Sequence, residues 1–410
     1  MAATSEGEDG AQGPAMGRGY RMLCMGLLVA LGFSLGASEF VVIGIQPELA
    51  RDFGIPLSQA GLFMSAFSIT YAAMTPVLAL VGGRFARFPL LIAYSALFIL
   101  GNLVAMLAST FEVLLAARVL VGLVSGALLA VGVTFIPELI GQERTSAAIS
   151  WVYAAFSVAM VVSTSVGKVL AASVGWHYAL VGSFWLSVAT CAALIALLPR
   201  RGATDAPAGI REQLPFLADP RSLCGAAVFV FGVGAVYVFY GYVTPYLEDI
   251  LGLTTVQASA ALMAYGVAAF FSNLISGWID TRFGVGALRF TFTGQALLLL
   301  ALFLLGPAMP AALAIILAIG LSMYLVSVPC VNMFVTTAAN EYPQALTLAS
   351  SLEPAAFNIG IAFGTAVGGA VIAGPGMGWV GAVGALFALI ACGIVCVTLR
   401  VTRRLRAQRP

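Results

Sequence analysis

The stretch "PRRGATDAPAGIREQLPFLADPR", residues 199–221, is the one long polar break in this chain. Everything on either side of it from residue 22 to residue 399 reads as apolar runs about twenty residues long, divided by short polar turns. Six runs precede the break: 22–45, 58–82, 89–109, 112–137, 146–172 and 177–198. Six follow it: 222–246, 256–279, 288–306, 311–336, 345–373 and 378–399. A run of that length without alternation spans a bilayer as a helix and not as a barrel strand. Composition agrees. The chain is 61% hydrophobic and 9% charged, with mean hydropathy +1.03, against about 25% charged residues in a soluble domain. The expected fold class is therefore all-α integral membrane, with twelve transmembrane helices as two pseudo-symmetric six-helix bundles.

The domain organisation follows from the same break. Residues 1–21, acidic and glycine-rich, read as a disordered cytoplasmic N-terminus. The run after them is too long for a cleaved signal and reads as a first span. Residues 22–198 form the first bundle, 199–221 a cytoplasmic linker, 222–399 the second bundle and 400–410 a basic cytoplasmic tail. The basic residues set the orientation. With the N-terminus inside, sixteen of the nineteen fall on cytoplasmic segments, Arg51 alone falls outside, and Arg118 and Lys168 lie within spans. The preference for arginine over lysine suggests a GC-rich bacterial genome, and hence an inner (plasma) membrane.

The two halves read as copies. A shift of 198 residues pairs Pro47 with Pro245, Leu49 with Leu247, Gly54 with Gly252, Gln59 with Gln257 and Arg84 with Arg282. A further slip of three pairs Ala154-Ala155-Phe156 with Ala355-Ala356-Phe357. A parallel six-plus-six repeat implies two bundles about an axis along the membrane normal, with a site between them near mid-membrane.

At this point particular motifs narrow the field. "GWIDTRFG" (277–284), after span 8, resembles the loop signature of the major facilitator superfamily. "ASEFVVIGIQPELARDFG" (37–54), "GVAAFFSNLISGWIDTRFG" (266–284) and "FNIGIAFGTAVGGAVI" (357–372) resemble the drug:proton antiporter-1 branch, in particular its sugar-efflux and arabinose-efflux-like members. The resemblance covers nearly all of the chain after residue 21. It implies export of a small molecule, among them sugars, nucleosides, amino acids or drugs, by alternating access. It also implies a gating loop in which an acidic group latches the cytoplasmic side: Asp280 and Arg282 in the second copy, Arg84 in the first. The first copy, "LVGGRFARF" (80–88), has Gly82 where the second has Asp280, so the latch rests on the second copy. Span 5 reads "STSVGKV" (163–169), with Ser165 where such antiporters carry proline.

Four ionisable groups lie well inside spans: Glu39, Arg118, Lys168 and Glu353. Each costs about 2.5–3.5 kcal/mol at a helix centre, so each asks for a partner, water or a function. Lys168 is the only lysine in the chain. It and Glu39 both stand about eight residues, roughly 12 Å, below the expected outer surface. The expectation is that they pair and hold Glu39 ionised until a proton or substrate competes; the alternative is that Lys168 snorkels to the outer headgroups. Arg118 matches the branch's span-4 arginine, with Gly122 four residues on. It either tunes the carboxylate or caps neighbouring carbonyls. Glu353, with Pro354 beside it, either faces the cavity as a contact for a cationic or hydroxyl-rich substrate or bonds a neighbouring helix. Asn332, Asn358 and Tyr237 are further candidate substrate contacts, the amides being equally able to bond between helices and the tyrosine to anchor at the interface.

The spacings Gly122-x-x-x-Gly126 and Gly360-x-x-x-Gly364-x-x-x-Gly368 read as close helix packing. Six cysteines without paired spacing read as small packing residues. Other classes fare poorly. The chain holds no HExxH motif, lacks a Walker A loop, and has one histidine, His177, at an interface. An enzyme is not expected, nor a cofactor, a metal or a nucleic-acid partner. The expected partners are a small-molecule substrate, protons and the bilayer, around a monomer. Proton-coupled efflux is the leading reading. Proton-coupled uptake or facilitated exchange, and a transporter-fold sensor, remain open.

Overall fold

The computed structural model describes residues 17–82, 85–200, 210–306 and 308–407. Among them every regular element is helical. The long helices are α1 (Arg18–Asp52), α2 (Leu62–Gly82), α3 (Arg87–Met106), α4 (Phe111–Val133), α5 (Gln142–Ser173) and α6 (Trp176–Leu197) in the first half. The second half holds α7 (Pro220–Tyr240), α8 (Thr255–Phe283), α9 (Leu288–Leu305), α10 in two segments (Met309–Ser322 and Ser327–Glu341), α11 (Leu346–Ala373) and α12 (Val380–Ala407).

Helices α8 and α9 run on as one 51-residue stretch of high mean hydropathy, Thr255–Leu305. At 1.5 Å per residue that is about 77 Å, more than twice the hydrocarbon thickness. The chain reverses within it at the 3-10 turn Gly284–Ala287, so the run makes two crossings and the total is twelve. Large apolar side chains face outward along the helices, among them Trp151, Trp185, Phe290 and Leu297. Only a lipid environment makes such a surface stable.

Local chemistry sets the helix ends. Asp219 caps α7 by accepting from the Arg221 amide at 2.7 Å, with Pro220 at the first helical position. Thr254 and Gln257 form a reciprocal capping box at the start of α8. Gly54 and Gly252, paired by the 198-residue shift, have φ of +62° and +65°. Both halves therefore make the same left-handed turn after the same helix, where a side chain would be strained.

The packing carries the same two-fold pattern. Helix α1 packs along α5, and α7 along α11; α2 packs on α4, and α8 on α10. Between the halves α2 meets α11 and α5 meets α8. Replacing each helix by its partner six places on turns the first contact into the second. With twelve crossings both described ends of the chain lie on one face, here the near face; the turns after α1, α5 and α7 lie on the far face.

The expected boundaries shift in three places. Helix α1 begins at Arg18, inside the segment expected to be disordered, and continues through Pro47 to Asp52, well beyond the expected end at 45. The linker contains a helix, Ile210–Ala218. Helix α12 runs to Ala407, through most of the expected tail. In α1 and α12 helical hydrogen bonding continues past the point where hydrophobicity stops, because apolar length marks the bilayer and not the end of the helix. Arg84 lies outside the described residues.

Candidate transport site

Glu39 lies mid-way along α1 and is 1% exposed. Its Oε2 has no hydrogen-bond partner, and it forms no ion pair among the described residues. Arg118, on α4, comes close without closing on the carboxylate. Its Nη1 donates to the Ser38 carbonyl at 2.6 Å and its Nη2 to the Glu39 carbonyl at 2.9 Å. Its Nε donates to the Phe63 carbonyl at 3.4 Å, and the guanidinium lies over the Phe67 ring at 4.6 Å. The arginine thus does the capping that its sequence allowed, staples α4 to α1 and α2, and still sets a positive charge within electrostatic reach of Glu39.

Glu353 is half-buried on the near-face side of α11. It lies within electrostatic reach of Tyr153 on α5, Tyr71 on α2 and Tyr324 at the break in α10. Tyr71 and Tyr324 sense Glu39 as well, so the two carboxyl groups lie within electrostatic reach of the same two tyrosines. Tyr153 is exposed. Aromatic rings pack around these tyrosines. Tyr324 stacks on Phe357 with centroids 5.5 Å apart, and Tyr240 stacks on Tyr265 at 4.7 Å. Tyr237 is fully buried against Tyr240 and Phe357, with its hydroxyl unpartnered. Asn358 gives its amide nitrogen to the Pro354 carbonyl at 3.1 Å and leaves its buried Oδ1 without a partner.

One expectation needs correction. Lys168 does not meet Glu39. Its Nζ lies 2.6 Å from Glu48 Oε1 and 2.8 Å from Glu248 Oε2, at the far face. Glu48 stands nine residues after Glu39, which is about two and a half helical turns and hence the opposite side of α1. A side chain on α5 that reaches one of them cannot face the other. Asn332, expected as a substrate contact, is exposed and bonded to a neighbouring helix. It donates to Asp280 Oδ2 at 2.8 Å near the near face, where the carboxylate offers an acceptor that apolar neighbours lack. Asp280 therefore stands in a contact with α10, while Arg282 lies exposed over Trp278 at 5.5 Å.

Other groups gave no sequence signal. Arg221 bonds both Asp219 and Glu341, tying α7 to the end of α10 at the near face. Burial pushes the Asp219 carboxyl up, but hydrogen bonds and charge from Arg221 outweigh it and hold the group below its ordinary range. Across the far half, side chains bond from one bundle to the other: Thr244 to the Ile43 carbonyl at 2.7 Å, Ser259 to the Ser165 carbonyl at 2.9 Å, and Ser65 to the Ala362 carbonyl at 3.2 Å. These pairs are over 90 residues apart in sequence, and serine or threonine in a span has too many uses to flag one. The far half is thus closed by direct bonds between the halves. All six cysteines are unpaired.

Such an arrangement, two six-helix halves bonded to each other at one face with carboxyl groups set within their helices, belongs to a membrane carrier. The family model described as Major Facilitator Superfamily matches residues 27–353, and the chain belongs to that superfamily. It is similar to "Inner membrane transport protein YdhP" of Escherichia coli (strain K12), 30% identical over 381 residues that cover 91% of this chain and 95% of the relative. It is also similar to "Probable sugar efflux transporter" of Pasteurella multocida (strain Pm70), 25% identical over 369 residues and 87% of each chain. Among solved structures, a bacterial homolog of the human lysosomal transporter Spinster, in an inward-facing and occupied conformation, superposes with a TM-score of 0.77 at 16% identity. That match covers 94% of this chain and 98% of the other. The chain is therefore a multi-pass membrane transporter of small molecules and not an enzyme.

Proposed function

We propose that the protein exports a small organic molecule in exchange for protons, by alternating access, as a monomer in a bacterial inner membrane with both termini cytoplasmic. The observation that carries this reading is the state of Glu39. Its carboxyl group is buried mid-way along α1, has an unpartnered oxygen, and lies within electrostatic reach of the same tyrosines as Glu353. A buried carboxyl is stable neutral, and becomes an anion only when water or a cation reaches it. That is the behaviour a carrier needs in a group that takes a proton in one state and gives it up in the other. Arg118 biases the exchange by its charge while its hydrogen bonds keep it in place. Glu353, Asn358 and Tyr237 supply polar contacts to the cargo, among rings that suit an amphipathic molecule. The printed name of the sugar-efflux relative supports the outward direction.

The test uses purified protein in liposomes with a pH-sensitive dye inside. A panel of sugars, nucleosides, amino acids and drugs is offered with and without a pH gradient. A substrate should drive proton movement in the opposite direction. Glu39→Gln should abolish proton movement while leaving substrate exchange across membranes at equal pH. Unaltered proton coupling in Glu39→Gln would remove the basis of the reading.

A further inference from the structure

The far-face cluster has a composition that a simple tie between the bundles does not need. One ammonium group, 1% exposed, is held by two carboxylates from different halves. Glu48 belongs to α1, which packs along α5 and so moves with Lys168. Glu248 belongs to the other half. It sits in a π-helical turn, Tyr246–Ile250, between α7 and α8, the kind of irregular turn found at functional positions. Its second oxygen, Oε1, already accepts from Thr255 at 3.4 Å within its own half.

These placements decide what happens when the far face opens. With a single partner across the gap, separation would strand a buried ammonium, and an uncompensated buried charge is strongly unfavourable. With two, the cost is limited. Glu248 leaves with its half and keeps the Thr255 hydroxyl. Lys168 stays neutralised by Glu48.

We infer that Lys168, Glu48 and Glu248 form a far-face latch with divided roles, in which Glu248 is the detachable partner that holds the halves together and Glu48 is the resident counter-ion that lets them part. All three are positioning residues. The inference rests on the alternating-access part of the function proposed above, and not on the proton or the cargo. It assigns the two glutamates opposite effects. Removing the charge of Glu248 weakens the closed state. Removing the charge of Glu48 leaves Lys168 dependent on Glu248, so that opening strands the ammonium and the closed state gains.

Ser259, buried where α8 meets α5 and bonded to the Ser165 carbonyl, reports that interface. A full-length form with the six native cysteines replaced by alanine and Ser259→Cys is treated from the far face with a membrane-impermeant sulfonated maleimide. Glu248→Gln should speed labelling by about tenfold, the shift that one hydrogen bond to a charged group carries. Glu48→Gln should slow it by a similar factor. Folding is checked by a single symmetric elution peak, and Glu248→Ala replaces the amide variant if that one is not recovered folded. Labelling that moves in the same direction in both variants, or fails to move as stated in either, overturns the inference. The readout needs neither substrate nor pH gradient, so failure of the Glu39 test leaves it intact.

Discussion

Gly364→Ala tests the seam between α7 and α11, which places Tyr237 and Asn358. A β-carbon at position 364 would lie 2.5 Å from the Gly234 carbonyl oxygen, 2.8 Å from the Gly234 Cα and 3.0 Å from the Tyr237 Cβ. Ordinary contacts of these kinds are about 3.3–4 Å. None of the three neighbours is the free end of a flexible side chain, so the helices themselves must part by close to 1 Å. In a bilayer their association rests on van der Waals contact and close backbone approach, so a separation of that size forfeits much of it. Overpacking of this kind costs about 1–3 kcal/mol, and the better helix propensity of alanine returns up to about 1 kcal/mol. The net expectation is a loss of about 1–2 kcal/mol. Gly393 is the control: it lies within α12, is exposed, and has nothing within 4 Å of the same added carbon. Gly393→Ala should be neutral or slightly stabilising. Thermal unfolding of the detergent-solubilised protein, followed by size-exclusion elution after heating, ranks the two. Equal midpoints for the two variants would refute the claim that close backbone approach holds this seam.

Arg118→Met should destabilise the first half, because two short hydrogen bonds to carbonyls of α1 are lost. The carbonyls retain their helical partners and the buried charge disappears, so the net cost is about 1–3 kcal/mol and not the sum of the bonds; Arg118→Lys should fall between it and wild type in the same unfolding assay. Asp219→Asn should lower the unfolding midpoint at neutral pH by loosening the tie between α7 and α10. Because the folded carboxyl titrates below its ordinary value of 3.8, its contribution is present above that pH and is lost as pH falls through the lowered value, so the gap between wild type and variant should close in strongly acidic buffer.

The fold was legible because lipid asks one simple thing of a sequence: apolar length, interrupted by polar turns, with arginine on one side. The repeat was legible where backbone geometry is demanding, as at Gly54 and Gly252, whose shared positive φ keeps glycine at both places. The candidate site was legible in part. Glu39 and Glu353 announce themselves because a charge in a span is costly, and the structure places them within reach of the same tyrosines.

What stayed hidden was direction around the helix axis. Counting residues from a turn gives the depth of Lys168 but not its azimuth, and depth alone made Glu39 a fitting partner. Glu48 falls beyond the apolar run that ends at 45 and directly follows Pro47, which cannot donate to a helix. Proline lacks only one donor, though, and near the last turn the remaining bonds carry α1 on to Asp52. That extra stretch turns Glu48 toward α5 and gives the one lysine in the chain its resident carboxylate. The second carboxylate, Glu248, lies 80 residues away in the other half, where no local pattern points to it. Pairings within one helix or between neighbouring helices leave traces in spacing. Pairings across the gap between bundles leave none, and the far-face bonds of Glu248, Thr244 and Ser259 are of that kind.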